Sequence, residues 1–193
     1  MKLTRVGVAA TYPVTTAECK SNLRVQHAAD DDLINSLIAA ATDYVSAPNG
    51  AINKSLVTES WALTMPSVSG DIDLPITPVQ SITTIQYWDT DNATQTLTVS
   101  DFTLTSDEDC ATLSPNTGIT WPSTYVRDDA VTITFSTGFG DAGSDVPAAI
   151  RQAIILIVSH WYESRLAVSD TNSKVIPMAA DSIIAMNRKG WVG

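Results

Sequence analysis

Asp145-Val146-Pro147-Ala148-Ala149-Ile150-Arg151-Gln152-Ala153-Ile154-Ile155-Leu156-Ile157-Val158-Ser159-His160-Trp161 decides the fold class, because it holds the clearest periodicity in the chain. Ile150, Ile154, Ile157, Val158, Trp161 and Leu166 make a broad apolar stripe at helical spacing. Pro147 falls in the first turn, where a missing N–H costs little. The stretch therefore predicts a long core helix over 145–168. Its uninterrupted apolar run, residues 153–158, is far short of the roughly 20 residues needed to span a membrane.

Such a stripe needs a partner, and the chain supplies one upstream. Leu33, Ile34, Leu37, Ile38, Ala41, Tyr44 and Val45 follow the same one-faced pattern. Asp30-Asp31-Asp32 opens this helix, where carboxylates favour the positive end of the dipole, and Pro48-Asn49-Gly50 stops it. Thr15-Thr16-Ala17-Glu18 is a capping-box pattern and predicts a shorter helix running to about Arg24.

Between these helical ends the composition changes. Residues 55–150 carry thirteen acidic side chains against one basic, Arg127, while the rest carries eight against ten, within a total of −10. Eighteen of the twenty-four threonines lie in the same middle region, and threonine's branched β-carbon suits a pleated surface. About seven strands are expected there: 56–65, 71–74, 79–88, 94–99, 102–105, a short piece near 111–113, and 131–136. The sixteen residues 114–129, holding Trp121-Pro122, form a loop long enough for an interface role or for simple mobility. The fold class read here is α+β: a helical core with an inserted, antiparallel β-rich subdomain and an extended C-terminal tail. Its expected divisions are 1–50, 51–144, 145–168 and 169–193.

Length and composition exclude several classes. At 193 residues, 44% hydrophobic and 17% charged, the chain can bury a core and is too apolar for a disordered protein. Cys19 and Cys110 are too few for a disulfide framework or a zinc site. The first residues lack the apolar stretch of a signal peptide, so a soluble intracellular protein is expected. The acidic balance argues against broad adhesion to nucleic acid or to anionic membrane.

Catalytic motifs are missing. There is no P-loop, no G-x-S-x-G elbow and no H-E-x-x-H, and Gly138-Phe139-Gly140 is too short for a dinucleotide fingerprint. His27 and His160 are the only histidines, and nothing local places a nucleophile and an orienting carboxylate beside either. Asp30–Asp32 reads most simply as a helix terminus, Asp71 and Asp73 as alternating strand residues, and Asp107-Glu108-Asp109 as a solvated turn. No enzyme activity, cofactor or metal is expected. Two other classes stay in view: a β-sandwich ligand-binding module and a hydrolase using an acidic cluster.

The tail carries the remaining signal. Val175, Ile176, Met178, Ile183, Ile184, Met186 and Trp191 are apolar residues beyond a polar linker, residues 170–174. Either this segment folds back on its own core, or it docks on another chain by strand addition or as a helix in a groove. In the second case Arg188 and Lys189 would meet an acidic patch on that partner.

Five segments, in their order, carry a family resemblance. They are Ala17-Glu18-Cys19-Lys20-Ser21-Asn22-Leu23-Arg24-Val25, then Asp31-Asp32-Leu33-Ile34-Asn35-Ser36-Leu37-Ile38-Ala39-Ala40-Ala41-Thr42, then Leu74-Pro75-Ile76-Thr77-Pro78-Val79-Gln80-Ser81-Ile82. Thr137-Gly138-Phe139-Gly140-Asp141 follows, and last comes Val146-Pro147-Ala148-Ala149-Ile150-Arg151-Gln152-Ala153-Ile154, continued by His160-Trp161-Tyr162-Glu163-Ser164-Arg165. With them the chain resembles the head–tail connector (adaptor) proteins of long-tailed bacteriophages and gene transfer agents. Residues 47–55 depart from that pattern, lacking its Tyr-Thr-Gly-Arg run.

The resemblance implies a structural protein of the virion neck, assembled in the host cytoplasm. Such proteins form a homo-oligomeric ring, typically twelvefold, under the portal protein, with a head-closure (stopper) or tail-terminator protein on the far side. Genomic DNA would pass through without sequence-specific binding, and no membrane is involved. The tail residues Val175, Ile176, Met178, Ile183, Ile184, Met186, Arg188, Lys189 and Trp191 become portal-binding candidates. Trp121, Asp32, Asn35, Arg151 and Arg165 become ring-interface candidates. The acidic middle would either repel the duplex along the channel or serve solubility alone.

Overall fold

The computed structural model describes residues 1–164 and 176–189. They divide into two compact units: Met1–Ala9 with Thr58–Phe139, and Ala10–Val57 with Gly140–Gly193.

The first unit is built on strands β1 (Lys2–Gly7), β2 (Glu59–Met65), β3 (Ile72–Asp73), β4 (Val79–Trp88), β5 (Thr94–Leu97), β6 (Phe102–Ser106), β7 (Ala111–Pro115) and β8 (Val131–Thr137). Five of them form a sheet in the order β1-β2-β8-β4-β5, with every neighbouring pair antiparallel. The other three form a sheet in the order β3-β7-β6. Strand β8 shows why: Val131, Ile133, Phe135 and Thr137 are buried while Thr132, Thr134 and Ser136 are half-exposed, a strict period of two.

Register carries that alternation across the sheet. Trp61, Phe135 and Ile82 stand in one row, and Leu63, Ile133 and Ile85 in the next, on the buried face. The opposite face holds the rows Ser60–Ser136–Ser81 and Thr64–Thr132–Gln86, with hydroxyls and an amide but no carboxylate. In the smaller sheet Ile72, Leu113 and Leu104 make the apolar row.

The seven strands expected in the middle are all present, with shifted ends. An eighth, β1, was not expected, and it moves the first nine residues from the helical part to the β unit. It pairs with β2, with a bulge between Arg5 and Gly7.

The second unit contains α1 (Thr16–Leu23), α2 (Asp31–Val45), α3 (Ala148–Glu163) and α4 (Met178–Asn187). Ile34, Ile38, Ala41 and Val45 of α2, and Ile150, Ala153, Ile154, Ile157 and Val158 of α3, make the core with Cys19, Ile52 and Leu56. Leu33, expected on the buried stripe, is exposed. Tyr44 is also exposed at its edge, with its ring edge-on to Trp161 at 6.3 Å. The long helix expected from Asp145 starts at Ala148, after a single 3-10 turn, Gly143–Asp145. Leu166 and Arg165 lie outside the described residues.

Glycine is required at two places near the start of this helix. Gly138 has φ +126°, which side-chain-bearing residues rarely adopt. A Cβ on Gly140 would collide with the Asp145 carboxylate, which accepts the Ala142 N–H at 2.9 Å. Among the described residues no helix is long and apolar enough to cross a membrane.

Candidate assembly interface

The helical unit is fastened by polar contacts between residues far apart in sequence. Thr15 and Glu18 form the expected capping box: the Glu18 carboxylate accepts the Thr15 N–H at 2.7 Å, and the Thr15 hydroxyl accepts the Glu18 N–H at 3.2 Å. Arg151 of α3 donates to the other Glu18 oxygen and, through Nε, to the Pro13 carbonyl at 3.1 Å. Together these hold the Glu18 carboxyl below its usual range, led by the Thr15 N–H and assisted by the Arg151 charge. Thr16 donates its hydroxyl to Asn35 Oδ1, and Asn22 donates to Ser159 Oγ at 2.7 Å.

Asp30–Asp32 marks a helix N-terminus, as expected, but not by capping. Asp30 makes no side-chain cap bond; its carboxylate instead accepts the Tyr162 hydroxyl from α3. Asp31 takes Lys20 of α1 at 2.6 Å, and Asp32 is exposed. The side chains that could have capped α2 are spent tying it to its neighbours.

These bonds change how the ring-interface candidates read. Arg151 and Asn35 are engaged within the unit, whereas Asp32 is exposed. Trp121 is half-buried in the β unit. Its ring lies 4.4 Å from that of Phe102 and its indole N–H donates to the Gly70 carbonyl at 2.8 Å. The long loop is thus pinned at its middle. Its exposed residues include 117–120 and Tyr125-Val126, with Val126 95% exposed.

The described part of the tail folds back on its own unit. Ile176, Ala180 and Ile184 are buried, and the Lys189 N–H donates to the Ile52 carbonyl at 2.9 Å. Ile183 is half-buried, whereas Met178, Met186 and Arg188 face solvent. Ile176 and Ile184 are therefore core residues in this arrangement. Val175 and Trp191 lie outside the described residues.

The acidic side chains of the β unit gather at turns. Asp89 accepts the backbone N–H groups of Asp91 and Ala93 and the Gln95 amide, and the Ala93 bond leads in keeping its carboxyl below the usual range. Asp107 accepts the N–H groups of Asp109 and Cys110. Asp129 pairs with Arg127, whose guanidinium lies 3.9 Å from the centre of the Trp88 ring. Beside it an open groove of about 520 Å³ is lined by Pro66, Ser67, Tyr125 and Arg127 among others.

Chemistry is sparse among the described residues. No three His, Cys, Asp or Glu side chains come together as metal ligands would. Burial pushes the Cys19 thiol up to about 11, so it stays protonated.

No curated protein matches the sequence. Solved structures match its fold over the whole chain. A chain from the neck of an empty gene transfer agent (GTA) particle, computed with C6 symmetry, aligns with TM-score 0.80 and 23% identity. The alignment covers 100% of this chain and 97% of that one. A chain from the virion of a native GTA particle gives 0.79 at 23% identity, and one from a native GTA neck computed with C12 symmetry gives 0.73 at 21%, with the same coverage. Residues 14–114, just over half of the chain and spanning α1 through β7, match the family model described as phage gp6-like head–tail connector protein. By that match the chain belongs to the phage gp6-like head–tail connector family.

Proposed function

We propose that the chain performs this structural connector role as one subunit of a closed ring in the neck of a phage or phage-like particle. The ring would sit under the portal protein, meet a head-closure or tail-terminator protein on its far side, and continue the DNA channel. The observation that carries the reading is the family match together with a fold shared end to end with chains of GTA necks. One of those necks was computed with C12 symmetry, and twelve subunits is the number proposed here. The role is structural rather than catalytic.

Within the subunit, the divisions 1–50, 51–144, 145–168 and 169–193 are redrawn along the two compact units. The helical unit, which carries the tail, would supply the portal contacts. The portal-binding set narrows to the solvent-facing Met178, Met186 and Arg188, with Val175 and Trp191 as flanking candidates. The acidic turns would leave passing DNA ungripped, since phosphate binding needs many cations.

Electron microscopy of the purified protein mixed with its portal tests this directly. A ring stacked coaxially on the portal is expected. A protein that stays monomeric and unbound beside intact portal rings would overturn the reading.

A further inference from the structure

Among the described residues, both outer strands of the five-stranded sheet, β1 and β5, end it without a further strand. An unpaired edge offers a row of N–H and C=O groups, and proteins usually defend it with lysine, proline, a bulge or cover. Strand β5, Thr94-Gln95-Thr96-Leu97, has no charge, proline or bulge, and its first three residues are exposed. The edges of the smaller sheet differ. Strand β3 is two residues long, and β6 sits against β4, where Ser106 Oγ accepts the Val79 N–H at 3.1 Å.

Strand β1 has a lysine at its start and a bulge at its end, between Arg5 and Gly7, but between them the arginine does not guard the edge. That guanidinium is turned inward, 3.1 Å from Glu59 and 4.9 Å from the centre of the Trp61 ring. The four successive antiparallel pairings also fix the direction of the two edges: β1 and β5 run the same way. An edge of one copy can therefore continue into the opposite edge of another with the sheet faces preserved. That is a heterologous contact, the kind that closes rings.

We propose that β5 of one subunit pairs in parallel with β1 of a second copy of this chain, so that sheet edges join neighbouring subunits around the ring. Charge agrees with the direction. In a parallel pair the starts of both strands coincide, which brings Lys2 beside the β4–β5 turn carrying Asp89 and Asp91. The exposed Thr4 and Thr96 lie on the same, hydroxyl-bearing face, through the pairings Thr4–Ala62–Thr134–Thr84 and Thr96–Gln86–Thr132. The inference rests on the ring reading above and names the surfaces that close it.

Cysteine cross-linking on portal-bound protein is the test, in a Cys110→Ser background with Cys19 left buried. Thr4→Cys combined with Thr94→Cys or Thr96→Cys should give a ladder of disulfide-linked multimers on mild oxidation, and either single variant should give none beyond a dimer. A second arm needs no cysteine: Lys2→Glu should raise the concentration for half-assembly about two- to five-fold, and adding Asp91→Lys should restore it, as expected of one exposed ion pair. Rings that assemble on the portal without a ladder from either pair, and without that rescue, would overturn the edge pairing and leave the connector reading intact. Failure of the unaltered protein to form rings on its portal would overturn both.

Discussion

Arg151 and Glu18 stand 133 residues apart in sequence, yet the guanidinium of one meets the carboxylate that closes the capping box of α1 in the other. One acid thus serves two ends of the helical unit, satisfying a helix N-terminus and tying α1 to α3. Glu18 has a lowered pKa when folded, so its contribution is complete above the ordinary carboxylate range of about 4.3 and is lost as pH falls through the lowered value. Acid titration of the melting temperature should show that loss in the native protein and a shallower one in Glu18→Gln. Thr15→Ala should cost about 1 kcal/mol at neutral pH. Identical acid profiles for native and Glu18→Gln protein would remove Glu18 from the account.

The tail makes a sharper prediction through two residues two positions apart. Ile184 is buried, and Ile184→Ala should destabilise the fold by roughly 2–4 kcal/mol, measured by denaturant unfolding. Met186 is 85% exposed, and Met186→Ala should leave the unfolding midpoint within about 0.5 kcal/mol while weakening capture by the portal. Undiminished portal binding by a triple Met178→Ala, Met186→Ala, Arg188→Glu variant would remove this face from the interface.

What could be read from the sequence was local. The capping box at Thr15, the stripes of α2 and α3 and the strand at 131–136 each depend on neighbours within a few positions. The box and the strand formed as read, and the stripes formed except at Leu33 and Tyr44, which are exposed. Strand β1 was hidden because its inward position 5 holds arginine rather than an apolar residue, and only Trp61 and Glu59 make that choice intelligible. Arg151 and Trp121 read as available surface for the same reason: their partners, Glu18 and Pro13 for one and Gly70 and Phe102 for the other, are distant in sequence. The tail's ambiguity was physical too, since one apolar stripe suits a core and a docking groove equally.

Trp121 should now behave as a structural residue of the β unit. Trp121→Ala removes the ring packed on Phe102 and the bond to Gly70, at an expected cost of roughly 3 kcal/mol. Trp121→Phe keeps the packing and loses about 1 kcal/mol with the N–H. Thermal unfolding measures both. A normal melting temperature with failed ring assembly would return Trp121 to the subunit interface.

Passage of DNA separates the two readings of the acidic β unit. Asp91 and Asp128 are exposed turn residues, and neither accepts the bonds that hold its turn as Asp89 does. Changing both to lysine alters the charge by four units per subunit without removing a turn bond. If these turns border the channel, a twelvefold ring would present twenty-four new cations to the duplex, each able to neutralise a phosphate. Particles carrying Asp91→Lys and Asp128→Lys, with Lys2→Glu added to keep opposite charges at the proposed β1–β5 edge, should then assemble normally but release DNA more slowly, most markedly at low salt, because the attraction is screened as ionic strength rises. Ejection followed by dye uptake at two salt concentrations measures it. Native release kinetics from fully assembled variant particles would place these carboxylates away from the DNA and leave solubility as their role.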